Sequence, residues 1–232
     1  MTAQSLTITT PAGAFQAYVA RPKSDKAPVI VVIQEIFGVN AVMRDICDDL
    51  AAHGYLAVCP DLFWRIEPGI DITDQSEAEW KKAFALYNAF DVDAGVSDIA
   101  ATIDLARADP QSNGKVGAVG FCLGGLLAFL TGVRTDAQAS VSFYGVGIDK
   151  VVGEAEHLQR PILLHIAEED QFVPKAAQAA IIEELEDEDQ AQIFTYPGRD
   201  HAFARKGGEH YDAADAALAF SRTLDFFKTH LG

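Results

Sequence analysis

Apolar positions in this chain fall into short runs, set between longer stretches of helical period. Residues 6–9 and 15–20 flank Pro11-Ala12-Gly13 and predict a hairpin. Residues 28–34 form a short, continuously apolar run, the pattern of a strand covered on both faces. A helical pattern over 41–53 stops at Gly54, and a strand over 55–59 ends at Pro60. Residues 61–75, with Pro, Gly and several Asp, predict an excursion before helices over 77–90 and 92–107. The strand 115–120 leads into a helix reaching about 132, and further strands are predicted over 139–144, 161–167 and 192–196. Two more helices fall near 175–186 and 210–230. Strands alternating with helices imply an α/β chain with a mainly parallel, doubly wound sheet, an antiparallel hairpin at its N-terminal end, and chemistry on loops at the carboxyl ends of the strands.

The length of 232 residues fits one large α/β domain spanning 1–232 and is short for two. No apolar run approaches the ~18 residues that would cross a bilayer. The first residues, Met1-Thr2-Ala3-Gln4-Ser5-Leu6, lack the basic start and apolar stretch of a signal peptide. Cys47, Cys59 and Cys122 show neither C-x-x-C spacing nor a disulfide framework, which predicts a reducing cytoplasm and no metal site. The net charge of −16 argues against nucleic acid or an anionic membrane as partner. The same charge repels an anionic small molecule, so a site for one must supply its own cations. The acidic run 183–189 reads as a solvated helix end and loop.

Chemistry concentrates in Lys115-Val116-Gly117-Ala118-Val119-Gly120-Phe121-Cys122-Leu123-Gly124-Gly125-Leu126. Gly120 and Gly124 flank Cys122 at the spacing of the nucleophile elbow, G-x-S-x-G, with sulfur replacing the serine oxygen. The sharp turn crowds the backbone, hence glycines on both sides, and it sets the side chain at the positive end of a helix. The plain alternative is a buried cysteine beside a glycine-rich turn. A nucleophile also needs a base and a group that orients the base. Of the six histidines, His201 is best placed, in the loop Tyr196-Pro197-Gly198-Arg199-Asp200-His201-Ala202-Phe203. His53, His165, His210 and His230 fall at helix ends or within a strand, positions that suit structural or solvated roles. The acid comes from Glu168-Glu169-Asp170, with Asp170 favoured because it stands four residues before Pro174, where the next helix is set up. The order Cys122, Asp170, His201 is the nucleophile–acid–base order of α/β-hydrolases. The backbone N–H groups of Leu123 and of Ile36, in Gln34-Glu35-Ile36-Phe37-Gly38, would then form an oxyanion hole.

With these residues assembled, the chain resembles the dienelactone hydrolases (carboxymethylenebutenolidases) over nearly its whole length. The matching segments are Gln34-Glu35-Ile36-Phe37-Gly38-Val39-Asn40, Cys59-Pro60-Asp61-Leu62, Asn88-Ala89-Phe90-Asp91, residues 112–125, Tyr144-Gly145-Val146-Gly147 and His201-Ala202-Phe203-Ala204-Arg205. The resemblance implies an α/β-hydrolase fold and a cofactor-free cysteine hydrolase that opens an unsaturated, carboxylate-bearing lactone in the breakdown of aromatic compounds. It implies Cys122 as nucleophile, His201 as base, Asp170 as orienting acid and Arg205 as the contact for the substrate carboxylate. Glu35 matches the family's pocket glutamate, held to control the charge state of the thiol. Family members carry an arginine and a tyrosine on the helix before the Phe-Asp motif, positions that correspond here to Trp80 and Phe84, with Lys81 or Lys82 able to compensate in part. The serine after the family's histidine is Ala202. These departures make the expected substrate pocket more apolar.

Three readings follow. The first is the lactone hydrolase just described. The second keeps its mechanism and broadens its substrate to small esters or other lactones. The third is a hydrolase-fold ligand-binding protein with negligible turnover, against which the intact Cys/His/Asp set argues. Dinucleotide binding is weaker still, because Gly117-Ala118-Val119-Gly120 does not fit G-x-G-x-x-G and no ribose-binding acid is evident. The sequence leaves the oligomeric state open.

Overall fold

The computed structural model describes residues 4–232, and the chain divides into two compact units, Met1–Gly117 and Ala118–Gly232. In the first unit, β1 (Gln4–Thr10) and β2 (Gly13–Ala20) form the antiparallel hairpin, with Thr10 opposite Gly13. β2 continues antiparallel onto β4 (Leu56–Pro60), and β4 pairs in parallel with β3 (Ala27–Ile33). The strand order here is β1-β2-β4-β3. β1 starts two residues before the apolar run because ladder pairing carries the polar Gln4 and Ser5 past the last buried side chain. Backbone hydrogen bonding does not need apolarity, so strand ends outrun the hydrophobic signal.

Three helices belong to this unit: α1 (Ala41–Ala52), α2 (Glu77–Ala89) and α3 (Val92–Arg107). Each begins on a side-chain cap. Asn40 accepts from the Met43 N–H, and Asp91 from the Ala94 N–H. At α2, Ser76 and Glu79 form a capping box, with the Glu79 N–H on the serine oxygen and the serine hydroxyl on the glutamate. The excursion over 61–75 is tied down by polar groups. Asp61 accepts from the N–H groups of Phe63 and Gly69, while Asp98 takes Trp64 Nε1 at 2.7 Å and the Arg65 guanidinium.

β5 (Ser112–Phe121) ends in the second unit, where the order is β5-β6-β7-β8. β6 (Ala139–Phe143), β7 (Ile162–Ala167) and β8 (Ala191–Tyr196) are parallel. α4 (Leu123–Arg134) is apolar all round and buried from Leu123 to Gly132, the pattern of a core helix. α5 (Lys175–Leu185) and α6 (Ala213–Leu231) are amphipathic. α6 starts three residues later than the apolar period suggests, because Asp212 caps it by accepting from the Ala214 and Asp215 N–H groups. Two short 3-10 turns, Ile148–Lys150 and Val152–His157, fill the connection from β6 to β7, where the sequence carries no clear period.

The core histidine of β7 is His165. Its two ring nitrogens contact the Tyr196 hydroxyl at 2.8 Å and the Thr223 hydroxyl at 3.0 Å. Burial, followed by the Arg222 charge, pushes its pKa down to about 3, so the ring is neutral and structural.

Candidate active site

Within the second unit, the end of β5 turns through Cys122 into α4. Cys122 caps the helix with φ 58° and ψ −117°, a region that L residues seldom occupy. Its N–H donates to the Phe143 carbonyl at 3.1 Å, and its own carbonyl accepts from Gly125 at 2.9 Å and Val146 at 3.3 Å. These bonds hold the strained turn. Gly120 is needed because a Cβ there would run into the Gly124 carbonyl, backbone that cannot give way. Leu123 is the first residue of α4, so its N–H has no partner within the helix and is free by position to meet an anion.

The loop after β7 carries Asp170. Its Oδ1 accepts from the N–H groups of Phe172 at 2.8 Å and Val173 at 3.2 Å. That turn fixes the carboxylate and leaves Oδ2 for His201 Nδ1, 2.7 Å away. Both side chains are buried, that of Asp170 completely. The other side of the imidazole meets Cys122 in a hydrogen bond. Aromatic edges close around the ring: Tyr144 at 5.1 Å and Phe172 at 4.9 Å between centroids. The sequence assigns neither aromatic a role at the site, although Tyr144 opens one of the segments that match the family. Tyr144 has a mild signal in its place directly after β6, where φ is +39°; Phe172 has none beyond standing next to the acidic loop.

Three of the expected residues are thus assembled from loops at 122, 170 and 201, and Arg205 lies in a short turn beyond the histidine, its N–H on the Ala202 carbonyl at 2.9 Å. Arg205 is 8% exposed, so its guanidinium sits inside the protein and not on the solvated surface.

The charge on His201 follows from three opposing influences. Burial is the largest and lowers the pKa. The neighbouring Cys122 and the bond from Asp170 raise it by more, to about 10. The free imidazole titrates near 6.5, so the folded state favours the charged ring. Stability from this group is therefore present in full below about pH 6.5 and lost as pH rises through about 10. Ring-nitrogen NMR of His201 is expected to show imidazolium through neutral pH with a midpoint near 10, and Cys122→Ser to pull that midpoint down. A ring that is neutral at pH 8 in the unaltered protein would contradict this.

In the first unit, the loop after β3 holds Glu35 and Ile36, which are 1% and 5% exposed. Gln34 ties that loop to the end of β4 by accepting from the Leu62 N–H at 3.0 Å. Gly38, at φ 77°, brings its backbone against the Ile70 carbonyl, and Ile72 donates to Phe37. Phe37 meets Trp80 edge-on at 5.1 Å, and Trp80 stacks on Phe84 at 5.5 Å. The Trp80 indole N–H donates to the Asp74 carbonyl. Trp80 is half-buried, and Phe84 is exposed. Of the two lysines considered as compensation, Lys82 is paired with Glu67 at 2.8 Å, and Lys81 is exposed.

The description "Dienelactone hydrolase family" matches residues 15–231. A protein of Azospirillum brasilense, provisionally named carboxymethylenebutenolidase, is 50% identical over 222 residues, covering 95% of each chain. The carboxymethylenebutenolidase of Pseudomonas putida is 44% identical over 212 residues, covering 91% of this chain and 90% of the relative. Among solved structures, a Klebsiella pneumoniae protein provisionally named dienelactone hydrolase superposes with a TM-score of 0.86 at 28% identity, covering 98% of both chains. The fold is that of the α/β-hydrolases, with mainly parallel strands and an antiparallel N-terminal hairpin, and the chain belongs to the dienelactone hydrolase family of ester- and lactone-cleaving enzymes.

Proposed function

We propose that this enzyme opens an unsaturated, carboxylate-bearing lactone through a thioester on Cys122. The observation that carries the reading is the line from Asp170 through His201 to the Cys122 sulfur, with 2.7 Å between acid and base. The sulfur attacks the lactone carbonyl carbon, and the carbonyl oxygen takes up negative charge facing the N–H group of Leu123 at the start of α4. Collapse of that intermediate breaks the ring C–O bond, and the departing enolate takes its proton from the His201 imidazolium, leaving the ring neutral. Water then attacks the thioester as His201 removes its proton. The carbon–sulfur bond breaks, leaving an open-chain acid and the free cysteine. Arg205 would take the substrate carboxylate, since a guanidinium binds it in two-point fashion where the overall charge of −16 would repel it. Glu35 fits a group that governs the thiol's charge before substrate arrives. The reading treats all 232 residues as a single α/β-hydrolase domain.

A broader specificity for small esters or other lactones is favoured by one observation. The Phe37–Trp80–Phe84 cluster presents three aromatic rings, with Phe84 41% exposed, where the family carries polar groups suited to a carboxylate. Cys47 and Cys59 are free thiols in mutual contact, which supports a reducing, cytoplasmic setting.

The test is a mass spectrum after brief mixing with a dienelactone and with a p-nitrophenyl ester, alongside initial rates for both. An acyl adduct on Cys122 with faster turnover of the dienelactone is expected. Faster ester turnover selects the broader specificity, and an adduct on any other residue removes the mechanism.

A further inference from the structure

The loops that carry Asp170 and His201 are laced to each other at three points. Two are backbone bonds: the Glu169 N–H to the Arg199 carbonyl at 2.8 Å, and the Glu168 N–H to the Tyr196 carbonyl at 3.2 Å. The third is made by a side chain. Oδ1 of Asp200 accepts from the His201 N–H at 2.6 Å and from the Gln171 N–H at 3.3 Å. Gln171 directly follows the acid, and the next two amides, of Phe172 and Val173, belong to Asp170 itself. One carboxylate therefore grips the backbone of the base and the neighbour of the acid. The second Asp200 oxygen lies 3.7 Å from His210 Nε2. Arg199, although adjacent in sequence, is engaged by Asp212 at 2.6 Å and Asp215 at 2.7 Å.

We infer that Asp200 is a positioning residue for the hydrolysis proposed above: its carboxylate latches the loop of His201 to the loop of Asp170 and so sets the angle at which the imidazole meets Cys122. The inference rests on that functional reading. An amide bonded to a carboxylate is stronger than a neutral bond, and part-burial limits its screening. The residue after the histidine, Ala202, is held at φ 62°, a strained conformation that persists only while its surroundings enforce it. Without the latch, the strain relaxes by turning the backbone of residue 201. The imidazole then keeps its bond to Asp170 only by swinging with it. A shift of about 1 Å at such a group lowers turnover by roughly a hundredfold.

Asp200→Ala is expected to lower kcat about ten- to a hundredfold while KM moves less than about twofold. Amide exchange at Gln171 and His201 is expected to accelerate, and the His201 titration midpoint to fall from about 10. Asp200→Asn keeps a carbonyl oxygen in the accepting position, and it is expected to restore most of kcat and the protection of both amides. An alanine variant with unaltered kcat and an unaltered His201 titration would overturn the latch, as would an asparagine variant as impaired as the alanine one. Should the alanine variant fail to fold, the asparagine variant decides alone: retained kcat supports the latch and lost kcat removes it. Exchange and titration are read on the protein without substrate. Unaltered protein that is inert toward every lactone and ester, yet loses amide protection in Asp200→Ala, would end the functional reading and leave the latch standing.

Discussion

Cys122→Ala is expected to reduce lactone and ester turnover by about ten-thousandfold or more, and to abolish the acyl adduct seen by mass spectrometry. Alanine fits the elbow as well as cysteine does, since Cys122 makes no side-chain capping bond to α4. The loss would therefore be chemical and not structural, and thermal unfolding is the control. Removing the sulfur also removes a neighbour that, with Asp170, raises the His201 pKa, so the variant's imidazole should titrate below about 10. Rates within about tenfold of the unaltered enzyme would show that another group attacks the carbonyl.

Asp170→Asn is expected to lower kcat by about a thousandfold to ten-thousandfold with KM little affected. The geometry explains why so small a change acts so strongly. Oδ1 accepts two backbone N–H groups, from Phe172 and Val173, so an asparagine keeps its oxygen on that side. Its NH2 then faces His201 Nδ1, 2.7 Å away, and a donor meets a donor unless the ring surrenders that proton. The imidazole is left in the tautomer that cannot accept a proton from sulfur or water. Steady-state kinetics of Asp170→Asn beside Asp170→Glu would check it. Equal rates for Asp170→Asn and the unaltered enzyme would remove Asp170 from the chemistry.

Much of this arrangement was legible in the sequence, for identifiable reasons. Strands β3, β6 and β7 are buried along nearly their whole length, so an uninterrupted apolar run marks them. The helix expected over 92–107 is α3, Val92–Arg107, whose start carries Asp91 as its cap. Gly120 betrays the elbow because a Cβ there would run into the Gly124 carbonyl. What escaped was tertiary. The sequence favours Asp170 over Glu168 and Glu169 from its distance to Pro174, and gives no sign of the turn at 172–173 that holds its carboxylate. Asp200 looks like any surface aspartate until its acceptor is seen between two loops 30 residues apart in the chain. Tyr144 and Phe172 reach His201 only through folding, and aromatics after a strand or in a loop carry no period to betray them.

The spacing of 122, 170 and 201 along the polypeptide also shapes how the enzyme comes into being on the ribosome. The thiol emerges from the exit tunnel well ahead of the imidazole and the carboxylate that give it a charged neighbour. A nascent chain halted before residue 201 carries the cysteine without the imidazole that stands beside it in the folded protein. The acid–base pair that would serve the sulfur thus exists only once translation has passed the last loop.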